Sequence, residues 1–98
     1  MSHDSNKSVL DAFCDALWLE DGLSPATLAS YRTDLAQLGA FLGDADIVCA
    51  TEADLARFLA ARAGRASSAA RRLSSLRRFY QYCLRERLSE TDPTLRLE

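Results

Sequence analysis

The sequence predicts an all-α fold, a compact bundle of four or five short helices, on three observations. Apolar residues recur at helical spacing in four segments, cap and stop residues bracket those segments, and strand signals are missing. There is no alternating apolar run and no Asn-Gly hairpin turn, and valines are few. A chain of 98 residues, 48% of them hydrophobic, suits one domain with a modest core.

Each element follows from its local residues. Ser8 to Asp11 reads as a capping-box-like start, and Val9, Leu10, Phe13, Leu17 and Trp18 follow at helical spacing, so a first helix is expected over about 9–20 with Phe13 and Trp18 in the core. Gly22 stops it. Ser24-Pro25 then places a capping hydroxyl before a proline at the first helical position, where the missing N–H costs nothing. The second helix carries Leu28, Tyr31, Leu35, Leu38 and Leu42 on its apolar stripe and ends at Gly43-Asp44. Ile47, Val48 and Cys49 form a short apolar link. Thr51 to Asp54 is a second cap-like start, with Leu55, Phe58 and Leu59 as the buried stripe and Gly64 as the stop. The longest helix begins near Ser67 and turns Ala69, Leu73, Leu76, Tyr80, Cys83 and Leu84 inward.

Composition removes several functional classes. No run of eighteen apolar residues exists, and Met1 to Lys7 is polar without a secretory core, so a soluble cytoplasmic protein with no membrane partner is expected. Cys14, Cys49 and Cys83 match neither a disulfide framework nor a zinc spacing and are read as core or partly buried thiols. His3 is the only histidine and lies in the polar leader, so neither a histidine metal site nor a Ser-His-Asp arrangement can be assembled. No cofactor, metal or catalytic residue is expected.

The net charge of −2 conceals a division along the chain. Residues 1–49 hold eight acids against Lys7 and Arg32, whereas residues 50–98 hold ten arginines against six acids. No acid occurs between Asp54 and Glu86, a window that contains Arg57, Arg62, Arg65, Arg71, Arg72, Arg77, Arg78 and Arg85. An anionic partner or a solvated face explains such a window equally well. At 100° per residue, Arg71, Ser75, Arg78, Tyr82 and Arg85 fall opposite Leu73, Leu76 and Tyr80, and Ser67 and Ser68 stand at the helix N-terminus, where free N–H groups favour phosphate. The second helix turns Ala26, Ser30, Thr33 and Gln37 outward, with Thr27 at the edge. Short uncharged side chains let a backbone approach a DNA groove closely, but they also suit packing on another protein. DNA, a protein partner and neither remain open on these residues alone.

Several pieces in order carry a resemblance. FCDALWLE from Phe13 to Glu20 is followed by LSPATLASYRTDL, in which Leu23, Ser24, Thr27, Tyr31, Asp34 and Leu35 meet the pattern Leu-Ser-x-x-Thr-x-x-x-Tyr-x-x-Asp-Leu without a gap. SSAARRLSSLRRFYQYCLRERLSETDPT from Ser67 to Thr94 supplies a last long helix and an Asp-Pro exit. Together these pieces resemble the N-terminal core-binding domain of the tyrosine recombinase (phage integrase) family over most of the chain. The segment Ala63 to Ala66 is shorter than in that family.

The resemblance implies a SAM-like orthogonal bundle over 8–95, preceded by a flexible leader over 1–7 and followed at 96–98 by the start of a linker to a catalytic domain outside the chain. It implies double-stranded DNA as partner, clamped at a recombination half-site through the second and fourth helices, and partner recombinase subunits in a tetrameric synapse. The family's arginines, lysine and tyrosine nucleophile belong to the catalytic domain. Tyr31 and Tyr80 are accordingly expected in the core and Tyr82 nearer the surface. Carried over by position, Thr27, Ser30, Thr33, Ser67, Ser68, Arg71, Ser75 and Arg78 are the expected DNA-contacting residues. Arg71 is expected on a guanine edge, because a guanidinium matches its O6 and N7, with Ser67, Ser68 and Arg78 on phosphates. Arg72 is expected to bond helix ends or Asp34. The competing readings are a helical protein-interaction module and the core-binding domain of a mobile-element integrase.

Overall fold

The computed structural model describes residues 2–62, 64 and 66–97, and the side chains of all of these except 2–4, 66 and 67. Among the described residues four α-helices run in the order α1 (Ser2–Ala16), α2 (Pro25–Phe41), α3 (Glu52–Ala61) and α4 (Ala66–Arg85). A π-helical turn (Leu17–Asp21) extends α1, and a 3-10 turn (Ile47–Cys49) precedes α3. No strand occurs among the described residues, as the periodicity predicts. The chain forms two compact units, Met1–Ile47 and Val48–Glu98.

In the first unit α1 packs against α2. Leu10, Phe13, Cys14 and Leu17 of the first segment and Tyr31, Leu35, Leu38 and Ile47 further on are all buried. Each such large apolar side chain contributes about 1.5–3 kcal/mol on leaving water. Burial also pushes the Cys14 thiol pKa up. The α2 start is the one its residues dictate: Pro25 occupies the first turn and the Ser24 hydroxyl accepts from the Thr27 N–H at 3.2 Å. Gly22 ends the π turn with φ 61 and ψ 31, a left-handed conformation that lacks steric cost only in glycine.

Two expectations for this unit are corrected. The first helix starts at Ser2 and passes through Ser8 without a cap, so 5–7 belong to α1 and are not a free leader. Asn6 supplies the physical reason. Its Nδ2 donates to the Ala45 carbonyl at 2.9 Å and its Oδ1 accepts from the Ile47 N–H at 3.0 Å, which ties the start of α1 to the segment after α2. Gly39 permits the approach, since a Cβ there would stand 3.3 Å from Asn6 Nδ2. Trp18, expected in the core, is 53% exposed, whereas Phe13 is fully buried. The chain leaves α geometry at Leu17, but helical phase alone accounts for the indole: five residues carry Trp18 about 140° around the helix from Phe13, to the margin of the buried stripe.

In the second unit Thr51 and Asp54 form a complete capping box. The Asp54 N–H donates to the Thr51 hydroxyl at 3.1 Å and the Thr51 N–H donates to Asp54 Oδ2 at 3.0 Å. The bond from the Thr51 N–H is the main cause that holds the Asp54 carboxyl below its usual pKa. α3 packs against α4, and Leu55, Phe58, Leu76, Phe79, Tyr80 and Cys83 are buried. The Phe79 and Tyr80 rings meet edge to face at 4.9 Å. Arg72 bonds a helix end as expected, its Nη1 donating to the Arg62 carbonyl at the close of α3 at 3.0 Å. Beyond α4, Asp92 Oδ1 accepts from both the N–H and the hydroxyl of the buried Thr94, which fixes the Asp-Pro exit as an Asx turn. Of the three cysteines Cys14 and Cys83 are buried, but Cys49 is exposed on its short turn.

Candidate nucleic-acid interface

The helix that carries the basic residues is amphipathic, and its inward side is fixed by Leu76, Phe79, Tyr80 and Cys83, none of which is exposed. Opposite them Arg71, Ser74, Arg77, Gln81 and Arg85 are exposed, with Ser68, Arg78 and Tyr82 half-buried at the margins. Arg85 stacks over the Tyr82 ring at 5.5 Å and pairs with Glu86 at 3.1 Å. Arg77 is turned another way: its Nη2 donates to the Leu97 carbonyl beyond the helix.

Ser75 is the correction on this helix. It is fully buried, and its hydroxyl donates to the Arg72 carbonyl at 2.8 Å, so it offers nothing to an external ligand. The physical reason is Phe79, one turn further along, which the sequence stripe omits. With Phe79 included, the centre of the buried side rotates toward Ser75, and Ser74 takes the outward place. Leu84, expected inside, is 44% exposed for the same reason. Arg71, Ser68 and Arg78 remain accessible to different degrees, and the Ser67 side chain lies outside the described residues.

On α2 the buried residues Tyr31, Asp34, Leu35, Leu38 and Gly39 leave a facing surface of Ala26, Ala29, Thr33, Ala36 and Ala40, all exposed. Ser30 and Gln37 are half-buried on its flank. No charged side chain lies on this surface. Arg32 is taken up by Asp11 of α1 at 2.7 Å, and Asp34 is 1% exposed. The Arg32 guanidinium and Lys7 together hold the Asp11 carboxyl below its usual pKa. Thr27 sits at the helix start, its Oγ1 accepting from the Ser24 hydroxyl at 3.0 Å while its own O–H stays available as a donor. The sequence thus gives the surface its character, but it misses Ala29, Ala36 and Ala40, which only the burial of the facing stripe reveals. Ser74 and Gln81 on α4 were missed too; counting Phe79 in the stripe would have found both.

Tyr31 and Tyr80 are core residues, at 9% and 0% exposure, as expected. No group of three or more residues suited to a metal occurs among the described residues. No described helix is long and apolar enough to cross a membrane.

The phage integrase N-terminal SAM-like domain family matches residues 10–87. The chain belongs to that family. Its SAM-like domain takes in the second half of α1 and all of α2, α3 and α4, so both helices with the surfaces just described fall inside the matched stretch. The integrase-type chain is similar to "Tyrosine recombinase XerD" of Proteus mirabilis, with 43% identity over 95% of this chain and 31% of that protein. It is similar to the Yersinia pestis protein of the same name, with 47% identity over 88% of this chain and 30% of that protein, and to the Pseudomonas aeruginosa one, with 40% identity over 92% and 32%. The chain therefore spans less than a third of the length of these relatives.

Proposed function

We propose that this SAM-like domain binds duplex DNA as the N-terminal part of a XerD-like site-specific tyrosine recombinase. The observation that carries the reading is the face of α4, where Arg71, Arg78 and Arg85 recur on one side of a segment that contains no acid from 55 to 85. Such a strip meets a phosphate backbone favourably, and counterion release makes the binding salt-dependent. α2 complements it with a charge-free surface of small residues, suited to close approach to a groove.

In this reading Thr27, Ser30 and Thr33 of α2 meet bases or sugar-phosphate. Ser67, Ser68 and Arg78 of α4 hold phosphates, and Arg71 reads a guanine edge through paired hydrogen bonds. The half-site is thereby clamped by α2 and α4. The parent protein cuts and rejoins DNA, assembles with a XerC-like partner recombinase in a tetrameric synapse, resolves chromosome dimers and works in the cytoplasm. The name that these relatives share supports this over a mobile-element integrase. A protein-interaction module is the alternative that the small-residue surface of α2 would also serve.

The deciding experiment is fluorescence anisotropy of a labelled duplex that carries a XerD-type half-site, against a shuffled duplex of equal length. The chain and its Arg71→Ala variant are titrated at two salt concentrations. Tighter binding to the half-site, weakened by salt and stripped of its preference by Arg71→Ala, is the expected result. Absence of binding to either duplex at low salt would overturn the reading.

A further inference from the structure

On α4 the positions 71, 74, 78, 81 and 85 follow one another at intervals of three and four, so they share one strip about 80° wide and about 21 Å long. Their chemistry alternates between cation and neutral hydrogen-bonding group: Arg71, Ser74, Arg78, Gln81, Arg85. All but the half-buried Arg78 are exposed. The Ser74 hydroxyl and the Gln81 amide make no hydrogen bond among the described residues.

The neutral members need a different account from the arginines. A glutamine amide releases no counterion and adds nothing to phosphate attraction. It does present a donor and an acceptor side by side, the pair that the N7 and N6 of adenine complete in the major groove. We infer that Gln81 is a second base-reading residue of α4, taking an adenine at some distance from the guanine assigned to Arg71. This inference rests on the DNA-binding reading above. The spacing follows from the helix. Ten residues separate the two positions, about 15 Å of rise, which corresponds to about three base pairs when the helix follows the inclined groove, where seven residues reach about three successive bases. Arg85, one turn beyond, is already stacked on Tyr82 and paired with Glu86, and its charge suits a phosphate at the edge of the contact. Ser74 lies between the two readers and pairs with whichever acceptor the groove offers there.

The test replaces each adenine of the half-site in turn by 7-deaza-adenine, which lacks the N7 acceptor, and each guanine by 7-deaza-guanine. Binding is measured by anisotropy for the chain, for Gln81→Ala and for Arg71→Ala. With the unaltered chain, one adenine about three base pairs from the guanine sensed by Arg71 should show a loss of about ten-fold or more. In Gln81→Ala that adenine should become indifferent to the substitution while the guanine stays sensitive. Circular dichroism checks that the exposed substitution leaves the helices intact. If the chain prefers the half-site but Gln81→Ala keeps the same adenine profile, or if the sensitive adenine adjoins the guanine, this inference fails and the DNA-binding reading stands. If the unaltered chain binds no duplex, both fall together.

Discussion

Asn6→Ala should destabilise the chain by far more than a change near its start would suggest. The side chain makes two hydrogen bonds across sequence separations of 39 and 41 residues, to the Ala45 carbonyl and from the buried Ile47 N–H. Each is worth about 0.5–1.5 kcal/mol net, and a buried N–H left without an acceptor costs about 1–3 kcal/mol. The Ile47 N–H bond enters both figures, so the sum is not taken twice: roughly 2–4 kcal/mol is expected. For a domain of this size about 1 kcal/mol moves the melting temperature by about 4–8 °C, so a fall of at least about 8 °C should be seen by circular dichroism at 222 nm or by calorimetry. Lys7→Ala serves as the comparison. Its side chain is 72% exposed and pairs with Asp11 one turn away, so a shift of under roughly 4 °C is expected there. A melting temperature for Asn6→Ala within about 2 °C of the unaltered chain would refute the reasoning and return residues 5–7 to the status of a dispensable leader.

Other outcomes follow from the same physics. Thr51→Ala removes the capping hydroxyl of α3 and should cost about 1 kcal/mol in chemical denaturation, with the slope against denaturant unchanged. The Asp11 and Asp54 carboxyls are both held below their usual pKa of 3.8, so each favours the folded state above that value and loses its contribution as pH falls through its lowered folded pKa. Asp54→Asn should therefore flatten the decline of stability with acid below about pH 4, and an unchanged decline measured by denaturation at several pH values would count against the capping-box account. Ser75→Arg should abolish folding or lower the melting temperature sharply, because it places a charge where exposure is 0%, whereas Ser74→Arg should fold normally and tighten binding to shuffled duplex. Arg78→Ala should reduce the slope of log affinity against log salt by about 0.9, the share of one phosphate contact, in titrations at four salt concentrations.

Local signals proved sufficient wherever a short stretch of residues decides the structure by itself. The Ser24-Pro25 start, the Thr51 to Asp54 box and the stripe of Tyr31, Leu35 and Leu38 depend on neighbours within a turn or two, and each lies where the spacing puts it. Asn6 could not be read that way, because its partners are some forty positions away and nothing in the leader's composition announces them. The misplacement of Ser75 has a different origin. Helical phase was available from the sequence, but leaving Phe79 out of the stripe rotated the assumed inward direction enough to exchange Ser75 for Ser74. Trp18 fails for a third reason: it lies about 140° around the helix from Phe13, at the margin of the stripe, at the point where the chain also changes pitch.

That change of pitch has a consequence for length tolerance. A π turn accommodates one residue more than the α turn it replaces while delivering the chain to its exit in nearly the same phase. Between Leu17 and Asp21 the molecule therefore holds a spare residue, and two large apolar side chains there, Trp18 and Leu19, face outward, at 53% and 80% exposure. Deleting Leu19 should close the turn to ordinary α geometry and still bring Gly22 and the Ser24 cap to their places, so this point of the chain can absorb a shortening that would throw any other turn of α1 out of register.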